Sequence, residues 1–518
     1  MNVGDGSSAT SKSKNPHQQL GGVAKSGIIS LTGSMTSAIM GFGLILVLGR
    51  LLGESQAGIV LQSIAVFSIA LAVARLGMDT TGVWLLPRLK LSEPALIRPA
   101  VFRLLVPTAA LGMLGGLVLW FGAPLLASEQ GGAAELVSSV RAMAWALPAG
   151  AVMMVALQIT RGLGNINPFA LIGNVFVPTL RPLFAVLVVA VGGTAVAVSI
   201  SWAIPLLLGA IAALWVAGRR VKKASLLTAD PQIQDPSAGK PIGHRIWGFA
   251  MPRWYASILE QSITWFDVVV VGFIAGASAA GVYGAASRFV TAGLIISTAM
   301  RIVVSPRFSS LLAQGKRTEV QHLYTTTITW VVLFGTPIFV VFGFFPQTIL
   351  GWLGDGFETG AGVLLMLSAA TVGCMMFGNA DSLLMMSGRS GLLALNKSIV
   401  LALNIVGNLV LIPIWGIEGA AVVWSVSMLL NCLLAATQNK LTLGIGWESK
   451  PILYSVFVAL ACSAIPCYVF TRFMGQSTLS LVIAVPVLLT FLAFWCFMDR
   501  RRLGLADLMR IRRATPID

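Results

Sequence analysis

Stretches of about 20 consecutive apolar residues recur along this chain, each long enough to cross the hydrocarbon core of a bilayer as a helix. Fourteen stand out: 27–49, 58–76, 101–126, 140–160, 169–191, 195–217, 246–274, 281–304, 324–345, 361–386, 396–414, 419–437, 451–471 and 478–498. Of the 518 residues, 56% are hydrophobic and 10% charged, and the mean hydropathy is +0.86. A soluble domain carries about 25% charged residues. The expected fold class is therefore all-α, a polytopic membrane protein of 14 transmembrane helices. An even number of crossings puts both termini on one side.

Basic residues decide which side. Loops after even-numbered spans hold Arg88, Lys90 and Arg98, then Arg219, Arg220, Lys222 and Lys223, then Arg307, Lys316, Arg317, Arg389, Lys397, Lys440 and Lys450. The opposite loops carry Glu54, Glu129, Glu135, Asp355, Glu358 and Glu418, with Arg50, Arg141, Arg288 and Arg472 at or near span ends. Both termini are expected to be cytoplasmic. The net charge of +16 then reflects membrane topology, and no nucleic-acid partner is implied. Residues 1–25 read as a disordered cytoplasmic tail and 499–518 as a basic cytoplasmic tail. The five cysteines lie in apolar runs without metal-site spacing, so they read as packing residues.

The longest internal loop, 218–245, is basic and then rich in Pro and Asp, as a linker would be. Two self-matches support a division there. Gly49–Gly58 (GRLLGESQAG) aligns with Gly272–Gly281 (GFIAGASAAG) at an offset of 223, and Gly193–Ser201 aligns with Gly419–Ser427 at an offset of 226. Both pair odd-numbered spans with odd-numbered ones, the relation expected of parallel repeats about an axis along the membrane normal. The division expected is an N-terminal six-helix bundle at 26–217, a cytoplasmic linker at 218–245, a C-terminal six-helix bundle at 246–437 and two extra helices at 438–498.

Charged side chains inside these spans are the functional signal, because a charge at the bilayer centre costs roughly 2.5–3.5 kcal/mol on insertion scales. Arg253, Ser257, Glu260, Thr264 and Asp267 fall on one stripe of the seventh span. Glu260 and Asp267 are two turns apart, about 10 Å, too far to share one proton. Arg181 sits mid-span between Pro178 and Pro182. It could be a structural partner for Glu260 or Asp381, or an anion ligand, since a guanidinium forks well onto phosphate oxygens. Arg288 lies about two turns into the eighth span and is a cavity candidate, whereas Arg301, nearer the cytoplasmic end, can snorkel to the interface. Asp381 can pair with an arginine or carry a coupling ion. Arg50 and Arg141 read as interface anchors or ligands. Prolines in many spans provide kinks of the kind a carrier opening alternately to each side would use.

No P-loop, HExxH or GxSxG motif is present, so nothing points to bond-breaking catalysis, a metal or a cofactor. The segments GRLLGESQAGIV (49–60) and FDVVVVGFIAGASAAGVYGAASRF (266–289), with the fourteen spans and the six-plus-six repeat, resemble the polysaccharide-exporter branch of the multidrug/oligosaccharidyl-lipid/polysaccharide superfamily. The resemblance implies a V-shaped pair of bundles around a central cavity. It also implies flipping of undecaprenyl-diphosphate-linked oligosaccharide repeat units across the bacterial inner membrane, by ion-coupled alternating access, for surface polysaccharide biosynthesis. A lipid II flippase or a multidrug/cation antiporter of the same superfamily is the alternative. By position, Arg181, Arg288 and Arg253 would then hold the diphosphate headgroup, and Glu260, Asp267 or Asp381 would be coupling or cavity carboxylates. Implied partners are the lipid-linked oligosaccharide, the bilayer, and polysaccharide polymerase and export machinery.

Overall fold

The computed structural model describes residues 16–126, 132–164, 166–226 and 241–499. The tails 1–15 and 500–518, Glu129 and the middle of the expected linker lie outside the described residues. Among the described residues the secondary structure is helical, with no strand. In chain order the helices are α1 (Pro16–Ala74), α2 (Met78–Ser92), α3 (Ile97–Gly122), α4 (Ala133–Ala144), α5 (Leu147–Gly162), α6 (Val177–Ala190) and α7 (Ala195–Ala224). They continue with α8 (Ile242–Ala275), α9 (Ala277–Gly293), α10 (Ile295–Ala313), α11 (Arg317–Phe344), α12 (Pro346–Gly351), α13 (Ala361–Met375) and α14 (Ala380–Met386). The last are α15 (Ser390–Leu443), α16 (Ser449–Met474) and α17 (Thr478–Met498).

Ten helices are long and apolar enough to cross a membrane, or up to 12 when the bent pairs α4–α5 and α9–α10 each count as one span. This is a multi-pass membrane protein. Two of the ten are interrupted at a glycine, α1 at Gly53 and α15 at Gly416. The continuous stretch Thr32–Ser92 holds 61 residues. Straight, it would be about 90 Å long, three times the hydrocarbon thickness, so the chain must turn at Gly53 to stay in the bilayer.

The sequence repeat has a structural counterpart in that turn. Gly53 has φ 75° and ψ 173°, and its repeat mate Gly276 has φ 91° and ψ 171°. This region of backbone space is essentially reserved for glycine, so both copies turn the chain the same way. The two copies also touch reciprocally. A Cβ on Gly58 would lie 1.8 Å from the Ala277 carbonyl oxygen, and one on Gly281 would lie 2.2 Å from the Glu54 carbonyl oxygen. The offset of 223 maps Glu54 onto Ala277 and Gly58 onto Gly281. Such self-complementary contact is what a two-fold relation produces, and it lets α1 pack directly on α9.

A second contact lies at the far end of α1, against α8. The second span does not stop at residue 76 as its hydropathy suggests; it breaks at Leu76 and Gly77, both with positive φ, and resumes as α2. Arg88 and Lys90, expected in a loop, are therefore helical. Against the break packs the start of α8. The Trp254 indole N–H donates to the Val73 carbonyl oxygen at 2.8 Å, and the Trp84 and Phe249 rings stack at 4.4 Å. The Arg245 side chain, only 1% exposed, pairs with Glu93 at 2.6 Å.

Overpacking a tight contact costs about 1–3 kcal/mol. We therefore expect Gly58→Ala and Gly281→Ala each to lower the thermal unfolding midpoint of the detergent-solubilised protein. Gly43→Ala, where an added Cβ meets nothing within 4 Å, should not lower it.

Candidate functional site

Two arginines within the bundle have no counter-ion among the described residues. Pro178 cannot donate a backbone hydrogen bond, and the residues before it, Phe169–Phe176, adopt a π-helix that runs straight into α6. One turn further on, Arg181 reaches across to α7 and places its guanidinium 3.7 Å from the centre of the Trp202 ring. Trp202 is buried and makes a T-shaped contact with Phe67 of α1. In the other half of the chain, Arg288 of α9 lies 3.6 Å from the ring centre of Trp265 on α8. The described residues contain no ion pair to either arginine. Their inner donors, Nε of Arg181 and Nε and Nη2 of Arg288, are buried with no hydrogen-bond partner.

The two pairs stand at one depth. Arg181 precedes the turn at Gly192 by 11 residues and Trp202 follows it by 10. Trp265 precedes the turn at Gly276 by 11 residues and Arg288 follows it by 12. At 1.5 Å per residue, each pair is about 15–18 Å from its turn, half the thickness of the hydrocarbon core. Arg288 is thus a turn deeper than its distance from the end of the apolar run suggests, because α9 begins at Ala277.

The three carboxylates have separate environments. Asp267 is buried and receives only neutral donors: the Tyr283 hydroxyl at 3.1 Å and the Asn408 amide N–H at 2.7 Å. Asn408 also donates to the Asn404 side-chain oxygen at 3.1 Å. Asp381 pairs with Lys397 at 2.9 Å and accepts from the Asn431 amide. Lys397, expected in a loop, lies inside α15. Glu260 and Arg253 are exposed, and the described residues contain no ion pair to either. The stripe on α8 thus runs from an open end at Arg253 and Glu260 to a closed one at Asp267.

Asp381 and Lys397 border a chamber of about 300 Å³ whose walls include Arg301, Asn379, Trp424 and Asn431. Arg50 and Arg141 are satisfied by backbone: each Nε–H donates to a carbonyl oxygen, of Trp352 at 2.6 Å and of Trp120 at 3.0 Å. Sequence reasoning passed over the Arg75–Asp79 pair at the helix break, 3.1 Å apart. It also passed over Trp202, Asn404 and Asn408, and set Trp265 among the apolar faces of the seventh span. Two signals were available: tryptophans at mid-span rather than in an interfacial belt, and asparagines four apart on one face of an apolar helix.

The described residues thus form a multi-pass membrane bundle that holds two guanidinium groups with no ion-pair partner among them. A family model described as polysaccharide biosynthesis protein matches residues 23–312, and one described as MatE matches residues 252–415. The first covers more than half of the chain, which therefore belongs to the polysaccharide biosynthesis protein family. That membership bears out the resemblance to the multidrug/oligosaccharidyl-lipid/polysaccharide superfamily. The chain is 27% identical over 189 residues to the probable low-salt glycan biosynthesis flippase Agl15 of Haloferax volcanii, covering 35% of this chain and 39% of that one. It is 25% identical over 196 residues to the probable flippase AglR of the same organism, covering 37% and 40%. The chain thus spans about two fifths of the length of these curated relatives. In structure it is similar to the lipid II flippase MurJ in an inward closed conformation, with TM-score 0.67 and 14% identity over 92% of this chain and all of that one. It is also similar to an inward-facing multidrug resistance MATE family transporter, with TM-score 0.63 and 13% identity over 80% and 98%. These relatives are flippases and transporters rather than enzymes.

Removing one partner of an ion pair leaves the other charge uncompensated. Lys397→Met should destabilise the protein by about 1–2 kcal/mol, a modest figure because both groups are partly exposed. The double variant Lys397→Met/Asp381→Asn should recover most of that loss in a thermal unfolding assay.

Proposed function

We propose that this protein flips polyprenyl-diphosphate-linked oligosaccharide across the cell membrane for surface glycan biosynthesis. The observation that carries the reading is the pair of mid-depth guanidinium groups, Arg181 and Arg288, whose buried donors have no partner. A polar headgroup cannot enter roughly 30 Å of hydrocarbon without replacement of its hydration. Two unneutralised arginines supply charge-assisted donors at the depth where that need is greatest, while the polyprenyl tail stays in the bilayer. The names of the Haloferax relatives support the same substrate class. A cationic drug would be repelled by such a site.

On this reading α1 and α15 each cross twice, at the Gly53 and Gly416 breaks, giving fourteen crossings in two six-helix bundles with two further helices. The termini are cytoplasmic, at the end that carries Arg219, Arg220, Lys222, Lys223, Arg307 and Arg317. In a bacterial cell the membrane is the inner one, and polymerase and export machinery take over the flipped unit.

Asp267 is the coupling carboxylate. Asp381 already has an ammonium partner and Glu260 is exposed, whereas Asp267 is buried among neutral donors and gains most from a bound proton or sodium ion. Tyr283, which donates to Asp267, is on the same helix as Arg288, so neutralising the carboxylate changes the surroundings of the headgroup site. Arg253, at the open end of the stripe, meets the headgroup on entry.

The test is flipping of a labelled polyprenyl-diphosphate oligosaccharide in proteoliposomes. Hydrogen bonds to charged groups contribute about 1.5–3 kcal/mol, so Arg181→Ala and Arg288→Ala should each slow flipping by about 10- to 100-fold with the protein still inserted. Asp267→Asn should abolish the response to an imposed proton or sodium gradient. Normal flipping by both arginine variants would remove the headgroup assignment, and an unchanged gradient response would remove Asp267.

A further inference from the structure

Among the described residues are six arginine–aromatic contacts; in Arg141 over Trp120 and Arg161 over Phe169 the guanidinium stands 5.8 Å from the ring centre, and the four closer ones, at 3.6–4.3 Å, are of two kinds. In Arg88 over Trp84 and Arg219 over Trp215, the two residues are four apart on one helix and the arginine is exposed. Those contacts are ordinary neighbours on a helix surface. Arg181 over Trp202 and Arg288 over Trp265 differ in three ways. Each joins two helices of a hairpin, each lies about half-way down its span, and each leaves buried guanidinium donors without a partner. The same arrangement is built twice with the roles exchanged: the arginine is on the first helix of the α6–α7 hairpin and on the second helix of the α8–α9 hairpin.

The chemistry of the two possible kinds of partner explains the choice. A guanidinium holds its five donors in its plane. A carboxylate takes those donors edge-on, commonly two at once, and cancels the charge. An aromatic ring attracts the cation through its π face and uses none of the edge donors. A tryptophan partner can therefore fix a desolvated arginine while keeping it able to bind an incoming anion. Three other cations are treated oppositely: Arg75, Arg245 and Lys397 each have a carboxylate within 3.1 Å.

We infer that Trp202 and Trp265 are positioning residues that hold Arg181 and Arg288 by their faces and leave their edge donors open for the diphosphate headgroup. This rests on the headgroup reading given above and adds the residues that set its affinity. Trp202 is itself locked by the Phe67 edge contact, 5.4 Å between centroids, so the support reaches back into α1.

The experiment measures binding of two probes to the full chain in nanodiscs, a polyprenyl diphosphate and the neutral polyprenol of equal length. Trp202→Leu and Trp265→Leu should each weaken diphosphate binding by about 5- to 20-fold and leave polyprenol binding unchanged. Trp202→Phe and Trp265→Phe, which keep a π face, should lose about 2-fold to 3-fold. The double variant Arg181→Ala/Trp202→Leu should bind diphosphate no more weakly than Arg181→Ala alone, since the tryptophan acts through the arginine. If a leucine variant does not fold, fluorinated tryptophans placed at position 202 or 265 keep the shape and drain the π face. Diphosphate affinity should then fall stepwise with fluorine count. A flat fluorination series, or equal loss for both probes, overturns the positioning role while Arg181→Ala and Arg288→Ala still weaken diphosphate binding. Unchanged diphosphate binding by the two arginine variants would instead overturn the headgroup reading itself.

Discussion

A cation inside an apolar helical bundle must be stabilised against desolvation, and the means of stabilisation decides whether it remains available. This chain uses both means. Arg75, Arg245 and Lys397 are matched with carboxylates, and the charge is consumed in holding helices together. Arg181 and Arg288 are matched with indole rings, and the charge is kept. The proposed function depends on that difference, because a headgroup site whose arginines were already neutralised would have little to offer a diphosphate.

Residue count from the turns at Gly192 and Gly276 explains how two such sites reach the same depth. The Gly53 and Gly276 turns have nearly the same backbone geometry, and the glycines that follow let the two halves meet backbone to backbone. Hairpins set off from turns on one side of the membrane carry side chains to a depth fixed by residue count alone. Eleven residues from a turn is mid-bilayer in either half. The Arg–Trp pairs need no shared sequence motif, only the same count from the same side.

Much of the architecture was legible in the sequence because hydropathy and charge report directly on burial in lipid. The apolar runs, the candidate charges at 181, 267, 288 and 381, and the Gly49–Gly58 repeat could all be read in one dimension. Partners could not. Lys397 sits among polar neighbours and reads as a loop residue, yet α15 carries it to Asp381. Arg181 could have met a carboxylate of the other half, and meets Trp202 of the next helix. The second span reads as ending at Leu76 because Arg75, Asp79 and Arg88 lower its hydropathy. The chain nonetheless breaks only over residues 75–77 and resumes as the helix α2, since α8 supplies Trp254, Phe249 and Arg245 to the polar and broken face. In each case the missing information is a contact between helices, which composition and period do not encode.

The central claim is that Arg181 and Arg288 keep their edge donors for an anionic headgroup. A cryo-electron microscopy structure of the full chain in nanodiscs, with a polyprenyl-diphosphate oligosaccharide bound, tests it most directly. The account predicts phosphate oxygens within hydrogen-bond distance of Nε or Nη of at least one of these arginines, with its guanidinium still lying over Trp202 or Trp265. A diphosphate bound elsewhere, with both arginines paired to carboxylates or facing acyl chains, would contradict it.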